Sequence, residues 1–107
     1  MVSTFEELEN RIAEINASNS DPWPPEMQML WIMEELGELS AEIMKMRQLQ
    51  GRFSERKTPF QTEHLQEELG DVLYGLVSIA QNLKLDVVNC LRLSIEKFES
   101  RKQNSLS

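Results

Sequence analysis

Apolar residues recur every three or four positions in four stretches of the chain, and no stretch sustains the alternation of a strand. The first stripe is Phe5, Leu8, Ile12 and Ile15. Its helix opens at Ser3 or Thr4, with Glu6 and Glu7 placed for a capping box, and ends near Ala17. Ser18-Asn19-Ser20-Asp21-Pro22 then reads as a loop. The second helix starts at Pro24 or Pro25, because proline suits a first helical turn. It runs through Met27, Leu30, Met33 or Glu34, Leu36 and Ile43 and fades near Gln50-Gly51. The third is introduced by Thr58-Pro59 or Thr62 and carries Leu65, Leu69, Val72, Leu73, Leu76, Val77 and Ala80 to about Asn82. After Asp71 it is apolar around much of its circumference, the mark of a central helix. Asp86 caps the fourth, which bears Val87, Leu91, Ile95 and Phe98, and fraying is expected from about Gln103. The pattern predicts an all-α fold, a four-helix bundle-like domain that assembles into a homo-oligomer, with residues 1–107 as one domain.

Laid over this frame is a repeated acidic phrase. Glu34-Glu35-Leu36-Gly37-Glu38-Leu39 returns 33 positions later (67 minus 34) as Glu67-Glu68-Leu69-Gly70-Asp71-Val72. On a helix Glu35 and Glu38 share a face, as do Glu68 and Asp71. Two such helices side by side bring four carboxylates together, and anions held that close call for a cation. All-oxygen ligands favour a hard one, Mg²⁺ or Mn²⁺. A solvated acidic face is the competing explanation. Against it, the acids are interleaved with Met33, Leu36, Leu69 and Val72, so the acidic stripe borders the apolar one. They also lack lysines four residues on: Glu34 faces Glu38, Glu38 faces Glu42 and Glu67 faces Asp71. Gly37 and Gly70 stand at matched places inside these helices, where glycine costs about 1 kcal/mol relative to alanine. Of two uses, close approach of the backbones or room for a metal and its waters, the matched pair favours close approach.

The chain's net charge of −7 leaves no general basic surface for phosphate neutralisation, so nucleic acid is not expected as a partner. A phosphorylated small molecule could still bind where a metal supplies positive charge. Cys90 is the single cysteine, which rules out an internal disulfide and argues against a cysteine-based zinc site. A reducing, cytoplasmic setting is expected. No apolar signal core and no run of about 18 apolar residues is present, so no membrane association is expected. There is no phosphate-cradling Gly-rich loop either, which excludes a P-loop mechanism.

The two phrases EELGEL and EELGDV resemble those of the MazG-like nucleotide pyrophosphohydrolases, members of the all-α NTP pyrophosphatase superfamily, over about residues 27–101. The resemblance implies Mg²⁺-dependent cleavage of a nucleoside triphosphate between its α and β phosphates, giving monophosphate and pyrophosphate, in the removal of unwanted nucleotides. It carries the metal ligands onto Glu35, Glu38, Glu68 and Asp71. Glu34 and Glu67 then stand behind the ligands, and one of them could orient or deprotonate the attacking water. It also implies that Lys97 and Arg101, one turn apart late in the last helix, grip phosphate oxygens. The rival function is a non-catalytic helical dimerisation or adaptor module.

Other residues carry weaker signals. Trp31 lies one turn before Glu35 and is a candidate to stack a nucleobase, against a core or interface role. Trp23 could pack on a neighbour or cover the pocket. His64, the single histidine, is read as an ordinary polar residue, since the Glu-x-x-His pairs of a di-iron bundle are absent. Lys45, Arg47, Arg52, Arg56 and Lys57 form a basic run, read as a solvated face. Met29, Trp31, Ile32 and Met46 on the second helix, with Leu73, Leu76 and Ile79 on the third, exceed what one small chain can bury. A homodimer or a dimer of dimers is expected, with the nucleotide near the interface.

Overall fold

The computed structural model describes residues 4–19, 21–50 and 62–106. Four helices fill these ranges: α1 (Phe5–Ala17), α2 (Pro25–Gln50), α3 (Thr62–Asn82) and α4 (Val87–Leu106). No strand occurs among the described residues. The basic positions Arg52, Arg56 and Lys57, and the alternative start of the third helix at Thr58-Pro59, lie outside them.

The helix ends follow from local chemistry. Thr4 caps α1: its Oγ1 accepts from the Glu7 N–H at 3.1 Å, one half of the expected capping box. Asp86 Oδ1 accepts from the N–H groups of Val88 and Asn89 at 3.0 and 3.3 Å, satisfying donors that the start of α4 leaves open. Between α3 and α4 the chain reverses through Lys84, whose φ of 62° is left-handed. Leu85 N–H donates to the Ala80 carbonyl at 2.8 Å and Lys84 N–H to that of Gln81 at 3.1 Å, the paired bonds of a Schellman ending. Glycine usually takes such a position, and lysine there gave no stop signal in the sequence. The helix of α4 continues to Leu106, beyond the expected fray at Gln103.

α3 is the centre of the molecule, as its broad apolar circumference predicts. It packs most extensively along α2, less along α1, and least against α4. α1, α2 and α4 make no close backbone approach to one another among the described residues. One chain therefore forms a helical hairpin with two appended helices and not a closed bundle. α2 and α3 run antiparallel, with Trp31 and Ile32 against Gly75, Glu35 beside Asp71 and Glu68, and Glu42 beside His64.

This packing corrects the apolar stripe assigned to α2. Met27, Leu30, Met33, Leu36 and Ile43 are all exposed. The covered side of α2 is instead Gln28, Ile32, Glu35, Leu39, Glu42 and Met46, spaced three or four apart. Apolar residues surround much of this helix, so hydrophobic period alone could not choose the side, and α3 lies on the face that bears carboxylates. Ile32, expected to be in excess, is the best-buried side chain at 1 % exposure. Among the described residues the buried apolar set is small: Ile32, Val72, Val77 and Ala80. Leu69, Leu73 and Leu76 of α3 are exposed, as are Phe5, Leu8 and Ile15 of α1.

Polar bonds complete the docking of α1. Asn16 Nδ2 donates to Ser78 Oγ at 3.0 Å, and Tyr74 Oη donates to Asn16 Oδ1 at 3.1 Å. Gln81 Nε2 donates to the Glu9 carbonyl at 2.9 Å. Ser78 is buried, so its hydroxyl needs this partner.

Candidate functional site

Because α2 and α3 are antiparallel, their acidic phrases meet at mid-length. Glu35, Glu68 and Asp71 each place a carboxylate oxygen within 4.8 Å of the others. Glu35 and Glu68 are half-buried, and Asp71 opens to solvent. Glu38 falls outside that tight trio and is exposed, yet lies close enough to act on both Glu35 and Glu68. Of the four carboxylates expected to converge, three do so closely and the fourth stands at the rim.

The electrostatics are those of a crowded anionic site. Burial, then the charges of Glu38, Asp71 and Glu68, hold the Glu35 carboxyl above its ordinary value of 4.5. Glu68 is raised as well, first by burial and then by Glu38, with Asp71 adding and His64 opposing. Desolvation leads and like charge follows, whereas the sequence pattern alone suggested mutual repulsion. Glu35 Oε2 and Glu68 Oε2 are buried without a hydrogen-bond partner. Polar atoms so placed are rare, because burying them unpaired is costly. Two unsatisfied carboxylate oxygens within an all-oxygen donor set suit a hard divalent cation.

Beyond the cluster the acidic face continues with Glu42, one turn on from Glu38. Its carboxylate is not left to repulsion. Lys45 Nζ donates to Glu42 Oε1 at 3.1 Å, from three residues along the helix, and His64 Nδ1 lies 3.3 Å from the same oxygen. The other ring nitrogen of His64 lies 3.3 Å from Glu68 Oε1. Glu42, expected only as a like charge facing Glu38, thus has a lysine partner, and His64, read as an ordinary polar residue, stands between Glu42 and Glu68. Spacing held the signal: His64 is four residues before Glu68, and Glu42 seven after Glu35.

On the other side of the cluster, one helical turn from Glu35 and Asp71, Trp31 packs against Gly75. A Cβ at Gly75 would lie 2.7 Å from Ile32 Cγ1 and 2.8 Å from Trp31 Cζ3, so only glycine admits the indole. Gly37 and Gly70 have nothing within 4 Å of a built Cβ, so the close backbone approach expected at those two is not found, and the tightly covered glycine is Gly75, against the side chains of Ile32 and Trp31. Trp31 and Gly75 form one wall of a cavity of about 750 Å³ beneath α1. Trp23 and Tyr74 add aromatic surface, and Asn16, Gln28, Ser78 and Asn82 add amide and hydroxyl groups. Asn82 Nδ2 donates to Gln28 Oε1 at 2.8 Å and to the Trp23 carbonyl at 3.2 Å, tying this rim together.

The remaining expected site residues lie apart from the trio. Glu34 and Glu67 are exposed, each one position around its helix from a cluster acid. Lys97 and Arg101 are exposed on α4 and flank the Phe98 ring at 5.1 and 5.5 Å from its centroid. Neither forms an ion pair with a carboxylate among the described residues.

The family model of the MazG nucleotide pyrophosphohydrolase domain matches residues 24–106, which include both acidic phrases. The chain belongs to this family. The MazG match places it among hydrolases of nucleotide pyrophosphate bonds, and it takes in α2, α3 and α4 whole. The crystal structure of the Bacillus-conserved MazG protein, a nucleotide pyrophosphohydrolase, is similar in fold: TM-score 0.73 over 92% of each chain, at 21% identity. The search of curated proteins found no match. No helix among the described residues is long and apolar enough to cross a membrane.

Proposed function

We propose that this MazG-family chain hydrolyses a nucleoside or deoxynucleoside triphosphate to its monophosphate and pyrophosphate, with Mg²⁺ as cofactor and Mn²⁺ as a substitute, in clearing unwanted nucleotides. The observation that carries the reading is the pair of buried, unpartnered oxygens on Glu35 and Glu68 inside the carboxylate trio. An adaptor module has no use for such oxygens, whose burial only costs it stability. Glu35, Glu68 and Asp71 would hold the cation, with Glu38 closing the set from the rim. Bound there, the cation would offset the repulsion between carboxylates and triphosphate, polarise the phosphoryl oxygens and lower the pKa of a bound water.

The chain's own groups then divide the remaining tasks. Water attacks the α-phosphorus, the bond from that phosphorus to the bridging oxygen breaks, and pyrophosphate leaves. Glu34 or Glu67 would receive the proton of that water. The cavity one turn away takes the base, with Trp31 as its stacking wall and the amides around it reading the hydrogen-bonding edge. Lys97 and Arg101 would hold phosphate oxygens. The assembled form is a homodimer or a dimer of dimers, with the nucleotide near the subunit interface.

Pyrophosphate release from a panel of ribo- and deoxynucleoside triphosphates, with Mg²⁺ and with EDTA, tests the reading. Release that needs Mg²⁺ and is lost in Glu68→Gln is expected. No release from any triphosphate at millimolar Mg²⁺ would remove the catalytic reading and favour the adaptor.

A further inference from the structure

We infer that His64 and Glu42 form a clamp that fixes the carboxylate of Glu68 for the metal, making His64 a positioning residue from outside the repeated acidic phrases. The inference rests on the metal reading above. Glu68 is the first residue that α3 brings to the cluster, and its terminal torsion has a broad, roughly two-fold preference. Left alone, such a carboxylate can rotate and present either oxygen. Here one His64 nitrogen lies 3.3 Å from Oε1, and Oε2 stays buried and unpartnered in the cluster. The second nitrogen of His64 faces α2 across the helix pair, 3.3 Å from Glu42 Oε1.

Glu42 gives the clamp its anchor. It is only 7 % exposed, on the covered side of α2. Lys45 pins the same Oε1 that faces His64. The result is a chain of contacts from Lys45 through Glu42 and His64 to Glu68 that crosses from α2 to α3. A partner that orients a metal-bound carboxylate commonly tunes metal affinity without touching the ion.

Mn²⁺ binding to the nucleotide-free protein, followed by the EPR signal of free Mn²⁺, tests the clamp without reference to turnover. Wild type, His64→Ala, His64→Gln, Glu42→Gln and the double variant His64→Ala/Glu42→Gln form the set. His64 is about half exposed, so the single variants should fold, which far-UV circular dichroism checks. His64→Ala should weaken Mn²⁺ binding by about 10- to 100-fold, the usual effect of losing such a partner. His64→Gln keeps a donor on a side chain of similar reach and should bind more tightly than His64→Ala. Glu42→Gln should weaken binding in the wild-type background and add nothing once His64 is gone, because Glu42 acts through it. Mn²⁺ affinity in folded His64→Ala within about twofold of wild type, or effects that simply add in the double variant, would overturn the clamp and leave the metal centre standing. Wild-type protein that binds no Mn²⁺ would overturn both.

Discussion

At the scale of single residues, the buried carboxylates make the metal-free protein pay in stability for its site. Glu35 and Glu68 have raised pKa values in the folded state, so the folded chain holds their protons more tightly than the unfolded chain does. Their favourable contribution is complete below the ordinary value of 4.5 and is lost as pH rises through the raised values. Glu35→Gln removes the penalty at neutral pH. In EDTA it should melt above wild type at pH 7, and the gap should close as the pH falls toward 4.5. Equal melting temperatures at pH 7 would contradict the desolvated cluster. The same variant should lose turnover by about 10²-fold or more, the scale of removing one electrostatic stabiliser. With millimolar Mg²⁺ only the wild type should gain melting temperature, because a ligand stabilises the state that binds it. The glycines separate in the opposite sense. Gly37→Ala and Gly70→Ala meet open space and should each gain up to about 1 kcal/mol of helix stability. Gly75→Ala drives a methyl into Ile32 and Trp31, and overpacking of about 1–3 kcal/mol outweighs that gain. Urea denaturation of the three variants reads both signs.

At the scale of elements, helix ends and polar cross-links decide what periodicity cannot. Asn16→Ala should cost about 1–3 kcal/mol, since it strands the buried Ser78 hydroxyl and frees Tyr74. Loss of α1 protection in hydrogen exchange should accompany it. Lys84→Gly should be neutral or stabilising by up to about 1 kcal/mol, as it relieves a left-handed lysine. The four helices were legible because caps and prolines punctuate them: Thr4, Pro25 and Asp86 act where their residue types suggest. The trio was legible because a three-residue acidic spacing on two helices has few other uses. The packed face of α2 was not, because Met29, Leu30, Met33 and Met44 offer a competing apolar side that stays exposed. His64 and Gly75 were hidden for a different reason. Their meaning depends on what stands opposite, Glu42 for one and Trp31 for the other, and cross-helix register is not written in either helix alone.

At the scale of the whole molecule, the open arrangement of the helices supports the proposed assembly. Its radius of gyration is 17.8 Å, against about 13 Å for a compact chain of this length. The exposed residues of α2 (Met29, Leu30, Met33, Met44), α3 (Leu69, Leu73, Leu76) and α4 (Leu91, Ile95, Phe98) are the apolar surface that a second copy would cover in the proposed dimer. Light scattering at micromolar concentration should give at least twice the monomer mass, and an active monomer would contradict that assembly. The antiparallel hairpin carries one more consequence, for how such a site can be edited. Cluster and cavity are both written on helix bodies, Trp31 four residues from Glu35 and Gly75 four from Asp71, so their offset of about 6 Å is set by helical rise alone. Residues added to or removed from the 51–61 connection leave that offset untouched. One residue inserted between Asp71 and Gly75 turns everything beyond it by about 100° and carries the cavity wall off the side that bears the carboxylate cluster. The reading frame of this candidate site is therefore angular: its linker can drift in length, whereas a single-residue shift inside α3 acts on it as a frameshift does on a gene.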